Sequence, residues 1–520
     1  MGPDSQDSDT EPLTAGHESP AAAPDREDDL LPPHKDYGIT TPLSLLLQPF
    51  QWLQMLSKQL NTSFVVGVFL VYGLNQGFSG SFFRVVTDYY WKDVQKVQPS
   101  AVQLYTGLYY IPWVMKPVWG LLTDVFPVRG YHRRPYFLLA GVLGTVAALM
   151  LALGGKLAVG AALVCLVGIS AAIAIADVTI DACIARNSIE FRSLAPDMQS
   201  LCGFCTSVGA LVGFSTSGLF IHHLGAQGAL GLMAIPPAGL IGLGFVIYEL
   251  KTKEASTDEH KKAVQRLGGA IKGMYQTIQM PQVWKPSLYM YLSLALTLST
   301  HEGQFYWYTN QKLEGGPAFS QEFVGMIYAV GALASIVGVL IYHKLLKDYP
   351  FRKLLFFAQL FFSLTGMLDL IFILRLNKRV GIPDSFFVIT EECVSRIISR
   401  IRWMPMIVLS TRLCPLGIEG TFFSLLMCID SFGSLTNKWG GGMVLQIFHV
   451  TRTDYSNLWL VVLIRNILRL ATLSFIFLVP NVDPSQTIIP ADLLGSTIKS
   501  RGVEDAYNLQ LVSMNEEDEV

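Results

Sequence analysis

The stretch GLLTDVFPVRGYHRRP occupies residues 120–135, between two long apolar runs. An acid, Asp124, stands four residues after a glycine, and a second glycine precedes the paired Arg133 and Arg134. Glycine and proline interrupt helices and arginines stay in water, so these residues predict a short basic loop that joins two helices. The apolar runs on either side predict that both helices cross a membrane.

The whole chain follows the same pattern. Of its 520 residues, 51% are hydrophobic and 15% are charged. A helix needs about 20 mainly apolar residues to cross a bilayer, and runs of that length predict an all-α polytopic membrane protein with twelve transmembrane helices. The predicted spans are 64–83, 102–122, 136–157, 159–185, 198–222, 229–248, 288–308, 321–346, 354–374, 386–410, 421–448 and 458–479.

These spans divide the chain into two six-helix lobes flanked by polar segments. The acidic N-terminal tail is rich in Pro and Ser, a composition typical of disorder. The predicted regions are a disordered tail at 1–36, an interfacial segment at 37–63, the first lobe at 64–248, a cytosolic linker at 249–287, the second lobe at 288–480 and a cytosolic tail at 481–520.

The distribution of Lys and Arg predicts the orientation. Basic residues gather in the loops after spans 2, 6 and 8, so these loops and both termini should face the cytosol. The loop after span 9 is an exception, since Arg375, Lys378 and Arg379 would lie outside. The N-terminus lacks the pattern of a transit peptide, so we expect the plasma membrane or the vacuolar membrane.

A faint internal repeat relates the two lobes. The motif at Gly120 has a counterpart at Gly338, 218 residues later, where a second helix also ends in a basic loop. Duplicated halves of this kind are typical of transporters. Tyr342 stands where the second motif would carry its acid, so the first copy alone is complete.

The stretch 120–135 resembles the loop signature of the major facilitator superfamily, on the residues Gly120, Asp124, Gly130, Arg133 and Arg134. The resemblance implies two pseudo-symmetric lobes that rock about a central cavity. It also implies a cytosolic gate, in which Asp124, Arg133 and Arg134 would form contacts in one state and release them in the other.

Three longer stretches resemble the folate–biopterin transporter family, especially its plant members. They read YYIPWVMKPVWGLLTD, ADVTIDACIARNSIEFRSLAPDMQSLCGF and PLGIEGTFFSLLMCIDSFG, and the similarity extends over roughly 64–480. The family implies movement of folates or pterins, coupled to protons in its protist and cyanobacterial members. It does not decide which folate or pterin is carried.

Ionisable groups inside a membrane are rare and usually face a cavity or a partner. The resemblance implies that helices 1, 4, 7 and 10 line the cavity, and each of them is polar here. The candidate cavity residues are Asn75, Gln76, Asp177, Asp181, His301, Glu302, Arg396 and Arg400.

Helix 10 carries Glu392, Arg396 and Arg400 at intervals of four, and therefore on one face. Two interpretations stay open. The stripe could neutralise itself, with Glu392 paired to Arg396. Alternatively, Arg396 and Arg400 could bind an anion, because a guanidinium matches a carboxylate and a folate carries a glutamate tail.

Helix 4 contains AIADVTIDACIA at 174–185, with its acids at different depths. Counted back from Arg186, Asp181 lies roughly 7–8 Å and Asp177 roughly 13–14 Å along the axis. We therefore predict that Asp177 binds substrate or a proton. Asp181 would join the inner gate by pairing with Arg134, Arg186 or Arg192.

Two further hypotheses concern the cavity. Glu302 could carry a proton, or it could form an outer gate together with His301. The rings of Tyr109, Tyr110, Trp113 and Trp307 could stack on a flat pterin, although such aromatics also serve as ordinary packing.

The sequence therefore predicts a secondary-active transporter, a monomer in contact with lipid, whose substrate is a folate or pterin. We expect no enzyme activity, no metal, no cofactor other than a proton gradient, and no nucleic-acid partner. Two alternatives stay open. One is a facilitator-type carrier of another organic anion or small metabolite, and the other is a transport-inactive sensor or scaffold.

Overall fold

A computed structural model describes residues 42–190, 194–249, 278–311, 316–412 and 419–481. The predicted N-terminal tail at 1–36, nearly all of the C-terminal tail and most of the 249–287 linker lie outside these residues. The chain divides into two compact units, Met1–Met55 and Leu56–Val520. In the first unit the described residues belong to a helix, and the remaining helices belong to the second unit.

The described chain is almost entirely helical. Its α-helices are α1 Pro42–Gln59, α2 Thr62–Val68, α3 Gly80–Tyr89, α4 Pro99–Leu108, α5 Ile111–Val114, α6 Lys116–Val125, α7 Arg134–Leu153, α8 Val159–Glu190, α9 Ala195–Leu232, α10 Ile235–Val246, α11 Pro281–Ala295, α12 His301–Tyr308, α13 Gln321–Ile341, α14 Phe351–Ile373, α15 Leu376–Arg379, α16 Asp384–Arg412, α17 Glu419–Ile447 and α18 Leu458–Ala471. Segments of π-helix at Phe69–Ser79, Tyr90–Val94 and Tyr342–Leu346 and a 3₁₀-helix at Thr472–Leu478 extend them.

Each predicted span falls on helical structure, and the prediction of an all-α polytopic membrane protein is confirmed. Among the described residues, six segments are long and apolar enough to cross a membrane by themselves. They are Arg134–Leu153, Val159–Asn187, Asp197–Val246, Gln321–Leu346, Phe351–Ile373 and Leu458–Leu478. The helices of predicted spans 1, 2, 7, 10 and 11 are not among these six; several of them are interrupted or carry charge.

The first helix is longer than predicted. The apolar run ends at residue 83, but helical structure continues from Thr62 to Val94 through α3 and two π-helical segments. The prediction stopped where charged residues begin. Arg84 and Asp88 therefore lie on a helix rather than in a loop.

The stretch at 120–135 forms a tight turn at the end of α6. Val128 and Tyr131 exchange backbone hydrogen bonds of 2.9 and 3.1 Å. Between them Arg129 and Gly130 have φ values of 56° and 82°, and a turn that needs two left-handed residues favours glycine at the second. The chain then enters α7 at Arg134.

The most extensive contacts between the two halves of the protein are made by two pairs of helices. Helix α9 contacts α13, and α4 contacts α17. One apolar cluster runs across this boundary, joining Tyr89 and Trp91 of the first half to Phe305 and Leu445 of the second. This cluster is therefore shared between the halves, whereas a second cluster, which includes Tyr289 and Phe351, lies within the second half.

The seventh predicted span is broken between α11 and α12. The break lies against α17, where the Ser299 N–H donates to the Asn437 carbonyl at 3.2 Å. Gly441 makes this approach possible, because a Cβ atom there would overlap the Ser299 carbonyl oxygen. A side chain at Gly441 would force the two elements apart.

Candidate functional site

A cavity of about 450 Å³ lies between the two halves, within the range of small-molecule sites. We call it the central cavity. Its lining combines aromatic rings with charged and polar groups from both halves. The lining residues are Gln76, Gly80, Phe83, Arg84, Thr87, Asp88, Thr106, Tyr109, Tyr110, Trp113, Ser170, Ile173, Ser299, His301, Glu302 and Lys438.

Several predicted residues meet in this cavity. Gln76, Glu302 and the rings of Tyr109, Tyr110 and Trp113 all line it. The Tyr109 ring is held in place, since its hydroxyl accepts a 2.7 Å hydrogen bond from Trp91 and its backbone carbonyl accepts one from Ser170. A rigid aromatic wall of this kind can pack against a flat ring.

Asn75 points away from the cavity. Its side-chain amide donates to the backbone carbonyls of Leu70 and Pro236, at 3.1 and 3.2 Å, and the residue is fully buried. Asn75 therefore joins helix 1 to α10. Trp307 is also buried outside the central cavity, where it contacts Phe372 edge to face.

Hydrogen bonds join the two halves at the end of the molecule opposite the 120–135 loop. The Lys92 ammonium donates to the hydroxyl and the carbonyl of Thr309, at 2.6 and 3.0 Å. Arg452 donates to the Lys92 carbonyl at 2.9 Å, and the Tyr306 hydroxyl donates to the Val97 carbonyl at 3.0 Å. We call this set of contacts the end seal.

Charged groups meet just beneath the end seal. His301 Nε2 lies 2.8 Å from Asp88 Oδ2, across the boundary between the halves. The backbone N–H of Glu302 donates to the Gln103 side chain at 3.1 Å, again across the boundary. Lys438 of α17 lines the same part of the cavity and interacts electrostatically with both carboxylates.

A second charged cluster lies within the first half. Lys116 forms an ion pair of 2.5 Å with Asp177, which is 2% exposed. One turn further along α8, Asp181 accepts a hydrogen bond from Tyr72. The predicted partners of Asp181 were Arg134, Arg186 and Arg192. Arg134 instead donates to the Ile247 carbonyl, Arg192 lies outside the described residues, and Arg186 forms no ion pair with Asp181 in the described structure.

On α16, Arg396 donates to Glu392 at 2.6 Å. The self-neutralising interpretation is therefore correct for this pair. Arg400 stacks on Trp403 with its guanidinium carbon 4.8 Å from the ring centre, and its Nε is buried without a hydrogen-bond partner among the described residues. One guanidinium of the predicted pair thus keeps free hydrogen-bonding capacity.

Arg396 and Arg400 line a groove of about 460 Å³ between α9 and α13. A smaller cavity shares Arg84 and His301 with the central cavity and shares Tyr328 and Arg396 with the groove. The three cavities therefore lie next to one another, from the aromatic region to the arginines. Asp177 is not part of their walls, so it does not face Arg396 or Arg400 across them.

The arginines of the loop signature contact their own half. The Glu249 carboxylate accepts the backbone N–H groups of His132, Arg133 and Arg134 at 2.6–3.1 Å, where it also meets the positive end of α7. Arg133 donates to Thr123 at 2.7 Å. The side chain of Asp124, the predicted gate acid, lies outside the described part of the chain.

Three charged residues at the cavity could not be assigned from the sequence pattern. Arg84 and Asp88 escaped notice because the apolar run of the first span ends just before them. Their spacing of four is the signal that could have found them, since it places both on one helix face. For Lys438, the spacing along the eleventh predicted span, which is α17 in the structure, shows only that Asp430 is too distant to pair with it.

The arginines of the last helix have contacts that the sequence did not indicate. Arg465 donates to Asp369 at 2.6 Å. It also donates to Thr300 at 3.0 Å and to Gln304 at 3.2 Å, around the break between α11 and α12. The Arg469 guanidinium lies over the Phe362 ring at 4.4 Å. These side chains therefore tie the last helix to its neighbours in the second half.

The profile of the BT1 family matches residues 76–492. The chain belongs to the BT1 family. This BT1-family protein is 66% identical over 452 residues to "Probable folate-biopterin transporter 6" of Arabidopsis thaliana, an alignment that covers 87% of this chain and 90% of the relative. It is 32% identical to "Folate-biopterin transporter" of a Synechocystis strain, covering 77% and 79% of the two chains.

Solved structures resemble the BT1-family protein in fold. The nucleoside transporter NupG aligns with a TM-score of 0.60 at 12% identity, covering 80% of this chain and 99% of that one. A D-xylose–proton symporter aligns with a TM-score of 0.54 at 14% identity, covering 81% and 97%. The predicted major facilitator fold is confirmed, and the chain is a multi-pass membrane transporter rather than an enzyme.

Proposed function

We propose that this protein moves folates or pterins across a membrane by alternating access, with a proton gradient as the driving force. Relatives of this chain carry folate or biopterin in their names, from Arabidopsis thaliana to a Plasmodium falciparum protein called "Folate transporter 2" at 25% identity. A substrate of this class has a flat bicyclic ring, and folates add a tail with carboxylates.

One observation carries the proposal for a folate: a smaller cavity adjoins both the aromatic central cavity and the groove that holds Arg400, and shares lining residues with each. The pterin ring would lie against Tyr109, Tyr110 and Trp113. The tail would reach Arg400, whose Nε has no partner in the described structure. Arg396 already pairs with Glu392, so it would contribute charge rather than a free hydrogen-bonding face.

The end seal supports alternating access. If the basic loops face the cytosol, the hydrogen bonds of Lys92, Arg452 and Tyr306 close the outer side. In the second state these bonds would break and the gate residues Asp124, Arg133 and Arg134 would form new contacts. Asp177 and Glu302 remain the candidate carboxyls for coupling. Asp181 remains a candidate for the inner gate, and both termini would be cytosolic.

The test is uptake into proteoliposomes that contain the full chain. Tritiated folic acid and tritiated biopterin are supplied with and without an inward proton gradient. We expect both to accumulate with the gradient. Binding of either compound with no accumulation under any gradient would favour the sensor alternative and overturn the proposed function.

A charge-neutral variant tests the tail site. Arg400→Gln should raise the apparent KM for folic acid at least tenfold, because a charge-assisted hydrogen bond contributes about 1.5–3 kcal/mol. Biopterin, which lacks the carboxylates, should be unaffected. Lys347→Gln is the matched control, since it removes one exposed positive charge from a loop. Equal effects on both substrates would contradict the assignment.

A further inference from the structure

Two buried carboxylates meet where the halves of the protein touch. Asp88 belongs to the first half and is 2% exposed, whereas Glu302 belongs to the second half and is fully buried. A carboxylate oxygen of each and a ring nitrogen of His301 all lie within 4.8 Å of one another. Neither Glu302 oxygen receives a hydrogen bond from a described donor.

Charged and titratable groups approach this carboxylate pair from several helices. Arg84 lies one turn before Asp88 and faces the Tyr328 ring of α13 at 5.3 Å. Lys438 approaches from α17, and Tyr109 from the segment between α4 and α5. Arg396 and Glu392 of α16 lie behind His301 and Arg84 in the adjoining cavity.

This environment favours a proton over a metal ion. His301 is already hydrogen-bonded to Asp88, and both Lys438 and Arg84 line the cavity. A divalent cation would add two charges beside those two cations. A proton adds only one charge, and it removes the repulsion between two buried carboxylates whose oxygens lie within 4.8 Å of each other.

We propose that Asp88 and Glu302 form one proton-binding site, which is assembled when the halves close at the end seal and divided when they separate. The inference rests on the proposed function and deepens it by naming the coupling site. It also merges the two hypotheses for Glu302, because the gate and the proton carrier are one structure.

The cycle follows from the geometry. With the end seal open, each carboxylate lies on its own half and is ionised in water. Closure brings the two oxygens together and therefore requires one proton on the pair. When that proton leaves through the central cavity, two negative charges face each other again, and their repulsion favours reopening of the seal.

The first experiment needs no substrate. Spin labels at Lys96→Cys and Thr453→Cys, two exposed positions in opposite halves beside the end seal, report the distance across it by pulsed electron resonance. The wild-type background should shift from a long to a short distance as pH falls. With Glu302→Gln added, the short distance should dominate at every pH, because the neutral amide mimics the protonated acid.

Asp88→Asn provides a second route to the same result, should the first variant express poorly. Asp454→Asn, in an exposed loop of the second half, is the control and should keep the wild-type pH profile. An unchanged profile in both Glu302→Gln and Asp88→Asn would overturn the proposal. A distance that responds to sodium or zinc ions instead of pH would also overturn it.

The second experiment separates this inference from the proposed function. In Glu302→Gln the ratio of folic acid uptake with an inward proton gradient to uptake without one should fall to about one, whereas the wild-type protein should show clear stimulation by the gradient. The ratio reports coupling separately from the absolute rate, which a seal that stays mostly closed would also lower. Stimulation at the wild-type level would sink the coupling site and leave the transport function intact.

Discussion

Two charged clusters of similar composition differ in where they lie relative to the two halves of the protein. The Lys116–Asp177 cluster, with Tyr72 and Asp181, belongs entirely to the first half. The Asp88–Glu302 pair lies across the boundary between the halves. In the first cluster Lys116 neutralises a carboxylate directly; in the second, the Glu302 oxygens have no hydrogen-bond donor among the described residues.

We infer from this difference that the first cluster is structural and that the second is the one that couples to protons. A cluster within one half would keep its partners when the halves move, so its ion pair should contribute to folding, and Asp177 would then have no part in coupling. A pair divided between halves changes its environment whenever the halves move. The distinction predicts that substitutions in the first cluster alter stability and that substitutions in the second alter the pH response.

The largest effect is expected for Lys116→Gln. This substitution leaves the buried Asp177 carboxylate without its cation, and breaking a buried ion pair costs about 3–5 kcal/mol. The unfolding temperature of the detergent-purified protein should fall by many degrees. The double variant Lys116→Gln with Asp177→Asn should recover most of the loss. A wild-type melting curve for Lys116→Gln alone would break the comparison.

Arg465→Gln should have the next largest effect. It removes the hydrogen bonds to Asp369, Thr300 and Gln304, and a bond to a charged group contributes about 1.5–3 kcal/mol. The melting temperature should fall while the pH profile of the spin-label distance keeps its midpoint. A shifted midpoint would show that the coupling site extends as far as α18.

The smallest effect is expected for Glu322→Gln. Glu322 pairs with His222 across the same end of the molecule at 2.9 Å, but the two side chains are 43% and 59% exposed. Exposed ion pairs contribute about 0–1 kcal/mol. The closed fraction should therefore change less than about fivefold, and added salt should abolish even that. A closed fraction that changes as much as in Glu302→Gln would contradict the distinction between exposed and buried charge.

Much of the fold could be predicted because hydrophobic length determines where helices lie in a membrane protein. The break between α11 and α12 could not, since no proline lies within ten residues of Thr300, His301 and Glu302. The break depends on a partner far along the chain: Gly441 leaves room for Ser299. A close contact between residues far apart in the chain leaves no pattern in the sequence around the break.

The sequence predicts which types of residue form the candidate site, but it does not predict which of those residues contact one another. Gln76 and Asn75 are adjacent polar residues in one apolar run, yet only Gln76 lines the central cavity. Both residues lie in the π-helical segment Phe69–Ser79, where the spacing of side chains departs from that of an α-helix. A period of 3.6 residues therefore does not predict which of the two side chains faces the cavity. Lys116 likewise found Asp177 through tertiary packing between α6 and α8.

The bare Cα of Gly441 has one more consequence. Because no methyl group fits between it and Ser299, α17 lies in close contact with the break. The segment after the break, the eight residues of His301–Tyr308, forms a separate short helix. His301 and Glu302 stand in its first turn, so a small tilt of this helix about the break would move both groups relative to Asp88.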